Sequence, residues 1–195
     1  MNKGEMTRQR IIAEAAPLFN QRGYAGCSMQ DVLDATGLEK GGLYRHFASK
    51  EELAVEAFRY ALANVVRTRT ENIEQIDSTV ERLRYLIRRF VESPSMMPGG
   101  CPLMNTAIDN DDGNPALRQL ALEGIQAWKA RLVAIVDAGI ERGEIRGEIE
   151  PRRIANTIVA ALEGALMMSR LEDNKAALKD VTESLEVVLD GIASR

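Results

Sequence analysis

The chain has 195 residues, with 25 Lys and Arg against 29 Asp and Glu, one His, two Cys, nine aromatics and a formal charge of −4. That length suits one or two small domains with a proper core. Ala, Leu, Ile, Glu and Arg dominate and no segment alternates β-branched residues, which predicts an all-α protein and argues against sheet-based enzyme folds.

Cys27 and Cys101 form neither a disulfide framework nor a metal-ligand spacing, so no metal and no cofactor is expected and a reducing cytoplasm fits. The N-terminal MNKGEMTRQR is too polar for a secretory signal. The apolar stretch from Ile158 to Met168 contains Glu163 and reads as too short for a membrane span, which predicts a soluble, cytoplasmic chain with no membrane partner. The charge is uneven: residues 1–50 carry a net +2 and residues 51–195 a net −6. A small basic module on an acidic body is the expected layout.

In chain order, a first helix is predicted from Thr7 to Arg22, with Ile11, Ile12, Ala15, Leu18 and Phe19 on one face, Gly23 as its stop, and Pro17 either kinking it or leaving a carbonyl unpaired. Ser28-Met29-Gln30-Asp31 reads as a serine cap with an acid three positions on, opening a short second helix that Gly37 ends. A third short helix is expected over 39–47. Ser49-Lys50-Glu51-Glu52 is a second capping box, opening a long helix to about Asn72.

Beyond Asp77-Ser78, Val80, Leu83, Leu86, Ile87 and Phe90 repeat at helical spacing to Glu92. The stretch from Ser93 to Pro102, with three prolines and two glycines, predicts a loop. A short helix over 103–109, a turn at 110–114 and a helix from Pro115 to about Arg142 follow, then a polar break and two final helices. Ile154, Ile158, Ala161, Ala165 and Met168 on one, and Leu178, Val181, Leu185, Val188 and Ile192 on the other, step by three and four. Such seams suit either an intramolecular core or a homodimeric four-helix bundle.

Three short N-terminal helices with a glycine turn between the second and third outline a helix-turn-helix, in which the third helix enters the major groove and the start of the second faces a phosphate. Ser28 stands at that start, and Lys40, Tyr44, Arg45, His46 and Lys50 cluster on and after the third helix. Taken singly, the cations read as solvated charges, His46 as a surface histidine, and Tyr44 and Phe47 as core aromatics. Their joint placement favours DNA.

The segment AAPLFNQRGYAGCSMQDVLDATGLEKGGLYRHFASKEELAVEAF, and above all GLEKGGLYRHFASKEEL, resembles the TetR/AcrR family of transcriptional regulators over about residues 7–57. The resemblance implies phosphate contacts from Tyr44, His46 and Lys50, and places Lys40, Gly41, Gly42 and Arg45 near base edges. Ser28 stands where the family usually has Thr, which keeps the hydroxyl; Gly42 stands where it usually has Thr or Ser, which removes one. It also implies a division into a DNA-binding domain, 1–50, and an effector-binding and dimerisation domain, 51–195, of about nine helices in all.

In the body, GGCPLMNTAID at 99–109 is similar to the start of the sixth helix in one subgroup of the family. The family layout makes Leu62, Val66, Leu86, Phe90, Met97, Met104, Ile108, Trp128 and Met167 candidate lining residues of an effector pocket, each also readable as ordinary core. Methionines and few ionisable groups suit a small, mostly apolar effector. Cys101 at a helix start is the alternative, a thiol answering electrophiles or oxidants, against a small buried residue under the loop. The implied mechanism is a homodimeric repressor on a palindromic operator, released by effector. No nucleophile-base pair, metal-ligand cluster or phosphate loop suggests an enzyme.

Overall fold

The computed structural model describes residues 2–92 and 97–194. Among them are nine α-helices: α1 (Lys3–Gly26), α2 (Met29–Thr36), α3 (Lys40–Tyr44), α4 (Lys50–Thr70), α5 (Thr79–Glu92), α6 (Pro102–Asp109), α7 (Pro115–Glu141), α8 (Pro151–Leu171) and α9 (Ala176–Ile192), with a 3₁₀ turn at Ile73–Gln75. The all-α expectation holds.

The element boundaries follow local chemistry. Asn2 caps α1, its side chain accepting from the Glu5 amide at 2.8 Å, so α1 starts four residues earlier than its apolar pattern predicts. Pro17 sits inside α1 without a break, because the non-helical angles fall at Gly23 (φ 72°, ψ 170°). Gly23 therefore ends the regular helix as expected, and one further turn reaches Gly26. Gly37 closes α2 in the left-handed conformation, its N–H donating to the Leu33 carbonyl. The third helix is five residues long rather than nine, since 45–47 turn away toward the next cap. At that cap Ser49 Oγ accepts from the Glu52 amide at 3.0 Å, while the Glu52 carboxylate reaches past Ser49 to the Ala48 N–H at 2.8 Å. Pro102 and Pro115 start α6 and α7 where a missing N–H costs nothing. Of the expected loop at 93–102, residues 93–96 lie outside the described residues, 97–101 are non-helical as expected, and Pro102 lies inside α6.

The chain forms two compact units, Met1–Val65 with Ser95–Gly124 and Val66–Pro94 with Ile125–Arg195. The first has a core of Ile11, Ile12, Ala15, Ala16, Cys27, Val32, Leu43, Phe47, Leu53, Ala57 and Ala61, in which α1 packs on α2 and α6. In the second, α5, α8 and α9 pack together around Leu83, Ile87, Leu132, Val136, Ile158, Leu162, Ala165, Leu185 and Leu189. Gly139 on α7 lets it close up there: a Cβ would come within 2.6 Å of both Thr79 Oγ1 and Ile145 Cδ1. Glu144 caps α5 from across the sequence, accepting from the Thr79 amide at 2.7 Å and from the Ser78 and Thr79 hydroxyls at 3.0 Å. Those bonds hold its carboxyl below the ordinary range against the opposing effect of desolvation.

The two periodic seams face inward. Ile154, Ile158, Ala165, Leu178, Leu185 and Ile192 are buried within the chain's own core, Ala161, Val181 and Val188 are half-buried against it, and Met168 is exposed. Helix α8 also corrects the membrane expectation. Its 21 residues, with mean hydropathy 1.2 over an 18-residue window, are long and apolar enough to cross a membrane. The expectation stopped at Ile158–Met168, but the helix extends that stretch at both ends. Eight of its residues, Glu163 among them, are buried by the chain itself.

Candidate nucleic-acid interface

The N-terminal helices build a small scaffold with a charged, exposed rim. Leu43 and Phe47 are fully buried and anchor α3 and the turn after it, while Lys40 and Gly41 before Leu43, and Tyr44 and Arg45 between the two, remain exposed. Phe47 is the core aromatic, with the Arg8 guanidinium 4.9 Å from its ring centroid. Tyr44 is the exposed one, at 42%, with the Lys40 ammonium 5.9 Å from its ring. One apolar residue per turn thus fixes the helix and leaves its polar face to solvent.

At the start of α2 the predicted capping box is complete. Ser28 Oγ accepts from the Asp31 N–H at 3.1 Å, and the Asp31 carboxylate accepts from the Ser28 N–H at 2.7 Å and its hydroxyl at 2.6 Å. Arg22 adds a 2.5 Å ion pair to the same carboxylate. The hydrogen bonds from Ser28 come first in lowering Asp31 to about 2, with Arg22 a smaller cause. The Ser28 hydroxyl proton is therefore committed to Asp31, and a phosphate at this helix start would meet the neighbouring amides or displace that bond. Cys27 beside it is a core residue, its thiol pushed up by burial and then by Asp31.

Lys50 opens α4 half-buried, its ammonium 4.4 Å from the centroid of the Tyr24 ring. Tyr24 is the residue that sequence reasoning passed over. It sits in the single turn after the Gly23 kink and supports Lys50 from below; the Gly-Tyr pair just ahead of the Ser28 cap was the available signal. His46 is half-buried in the turn after α3, its N–H donating to the Leu43 carbonyl at 3.0 Å. Among the described residues, Lys40, Arg45 and Lys50 are not paired with carboxylates, whereas Arg8, Arg22 and Arg59 of the same unit are. The cations on and after α3 thus form a cluster with no carboxylate partner, Lys40 and Lys50 lying instead over the Tyr44 and Tyr24 rings. A Cβ added at Gly41 would meet nothing within 4 Å, and one at Gly42 only the Leu38 side chain at 3.9 Å, so packing within the chain does not demand glycine at either.

The candidate effector residues separate. Leu86, Phe90 and Trp128 belong to the second unit, where Phe90 stacks on Trp128 at 5.7 Å between ring centroids and the Arg69 guanidinium lies 4.0 Å from the Phe90 ring centroid. Leu62, Met97, Cys101 and Met104 belong to the first unit, with Cys101 3% exposed at the start of α6. Val66, Ile108 and Met167 are exposed. A cavity of about 30 Å³ beside Asn20, Ala57 and Asn105 is water-sized, and a wider groove in the second unit runs past Ile73, Arg82, Arg131 and Ile135. None of the candidate effector residues lines either.

A capped helix-turn-helix with a cationic rim defines a DNA-binding regulator. Two family models account for most of the chain: "Bacterial regulatory proteins, tetR family" matches residues 11–57, and "Tetracyclin repressor-like, C-terminal domain" matches residues 79–185. The chain is similar to a TetR transcriptional regulator from Chloroflexus aurantiacus, with TM-score 0.93 and 41% identity, covering 99% of this chain and 98% of that one. It is also similar to a TetR-family regulator from Cytophaga hutchinsonii, with TM-score 0.92 and 37% identity over 100% and 98%. Among curated relatives, the HTH-type transcriptional repressor DhaR of Mycobacterium sp. strain GP1 is 27% identical over 88% of this chain and 86% of its own length. The chain belongs to the TetR family of DNA-binding transcriptional regulators, which are not enzymes.

Proposed function

We propose that this protein is a cytoplasmic, homodimeric repressor that binds a palindromic operator through α3 and releases it when a small, mostly apolar effector occupies the body. One observation carries the DNA half: Lys40, Arg45 and Lys50 have no internal carboxylate partner and stand around exposed Tyr44 on a helix anchored by Leu43. Ser28, Gly41, Gly42 and His46 complete the set, with Arg45 and Lys40 reading bases and Tyr44, His46 and Lys50 holding phosphates. The DNA-binding function then lies in 1–50 and the regulatory function in 51–195.

A second copy has a face to meet. Met167, Met168 and Leu171 on α8 and Val187 on α9 are exposed apolar residues, the last two at 81% and 72%. Because the seam residues Ile154, Ile158, Leu178, Leu185 and Ile192 fill the chain's own core, these outer neighbours supply the dimer contact. Cys101 is buried, which favours effector release over a thiol switch, since a reactive thiol must be reached. The effector binds the DNA-incompetent form more tightly, with a coupling of about 1 to 3 kcal/mol.

A gel shift with DNA from upstream of the chain's own gene tests this. A specific, salt-sensitive complex with a palindrome, carrying two chains per duplex, is expected. Binding to that DNA no tighter than to random duplex would overturn it.

A further inference from the structure

We infer that Asp109, at the end of α6, is a positioning residue for DNA binding: it holds the Gly23–Tyr24 kink so that the Tyr24 ring supports Lys50. This rests on the assignment of Lys50 to phosphate made above. Asp109 lies 85 residues from Tyr24 in sequence, yet its Oδ2 accepts the Tyr24 N–H at 2.7 Å. That amide opens the turn after the Gly23 kink. Asp109 is thus a cap delivered from another helix.

The fit around this carboxylate is close. A Cβ at Gly23 would come within 2.6 Å of Asp109 Oδ1 and 2.9 Å of its Cγ, so glycine is needed there for space as well as for its positive φ. The carboxylate is itself fixed. Buried Asn110 donates from Nδ2 to Asp109 Oδ2 at 3.2 Å and to the Thr106 carbonyl at 3.0 Å, while its Oδ1 accepts from the Asn114 N–H at 3.3 Å. Asn114 in turn donates from Nδ2 to Glu51 Oε2 at 2.5 Å, next to Lys50. The corner between α6 and α7 therefore reaches Tyr24, whose ring supports the Lys50 ammonium, and also Glu51, the next residue along α4. Further back along α1, Asn105 donates to the Asn20 carbonyl at 3.1 Å, keeping α6 in register on α1.

Simple charge counting predicts the opposite effect. Removing an acid near a DNA-binding surface reduces repulsion of phosphate and should tighten binding. If Asp109 positions Lys50, its loss weakens binding instead and removes one phosphate contact.

The test measures anisotropy of a labelled duplex, selected from a random pool by the wild-type protein, over a range of salt. The variants are Asp109→Ala, Asp109→Asn, Lys50→Ala and the double Asp109→Ala/Lys50→Ala, each checked for an unchanged melting temperature of the body. We expect Asp109→Ala to weaken binding about three- to tenfold and to lower the salt slope by about one, as Lys50→Ala does. Asp109→Asn, whose amide oxygen still accepts from Tyr24, should restore most of the affinity. The double variant should bind like Lys50→Ala alone. Losses that add in the double variant, or a tighter Asp109→Ala complex, would overturn the positioning role while leaving Lys50 a phosphate ligand. Lys50→Ala binding like wild type would overturn both assignments. Should Asp109→Ala melt early, the Asn variant and its salt slope decide.

Discussion

Arg84 of the helical body and the cations on and after α3 of the N-terminal head use their charge differently. In the body, Arg84 is held by Glu81 at 2.7 Å, by Glu186 at 2.6 Å and by Asp190, and its guanidinium is held protonated above its ordinary range chiefly by the first two. In the head, Arg22 and Arg8 are used in the same way, but the cations on and after α3 are not. Internal pairing marks a charge that serves the fold; a cluster of unpaired cations on a rigid, apolar-anchored helix marks one kept for a partner. The acidic total of −4 conceals this, because the body's acids dominate the count.

The largest effect that breaks the contrast is loss of the head's anchor. Phe47→Ala should destabilise by about 3 to 5 kcal/mol, because the ring is 1% exposed and little can collapse around it. Denaturant unfolding monitored with and without DNA should show that loss together with weaker binding to every sequence. The body offers a counterpart at Gly139. Gly139→Ala should cost about 1 to 3 kcal/mol by forcing Thr79 and Ile145 apart. It should change DNA affinity far less than stability, which binding at a temperature below both transitions would check.

Gly41 sharpens the comparison further, since stability and function should move in opposite directions. Nothing in the chain opposes a side chain there, so Gly41→Ala should raise stability by up to about 1 kcal/mol through helix propensity. On the proposed docking of α3, the added methyl should also weaken DNA binding. Stability and affinity rising together would show that α3 does not approach DNA at that point.

The smallest effect is acid sensitivity at the α2 cap. Asp31 is lowered from its ordinary 3.8 to about 2 in the folded chain, so its contribution is fully present above about pH 4 and is lost as pH falls through about 2. Urea midpoints between pH 4 and pH 2 should fall less steeply for Asp31→Asn than for wild type. Parallel curves would show that the cap does not discriminate the charged form.

Much of the head was legible in the sequence because its signals are local. The Ser28–Asp31 box, the Gly37 stop and the burial of Phe47 all follow from spacing within a few residues. Tyr24 and Asp109 were not legible: one partner lies 26 residues away and the other 85, and no periodicity links them. In the body the helical period of Ile154–Ile158–Ala165 and Leu178–Leu185–Ile192 marked a real apolar face. Periodicity says that a face is covered and not by what, and here the cover is the chain's own α5, α8 and α9. The effector candidates fared similarly, since apolar spacing looks the same for core, surface and cavity.

The most direct test of the account compares Lys50→Ala with Arg45→Ala on a selected duplex and on random duplex as salt is varied. Lys50→Ala should weaken both complexes by a similar factor and lower the salt slope by about one, while Arg45→Ala should weaken the selected duplex more and shift base preference at one position. Equal losses on both duplexes for Arg45→Ala, with no change in selected sequence, would contradict the assignment of α3 as the reading element.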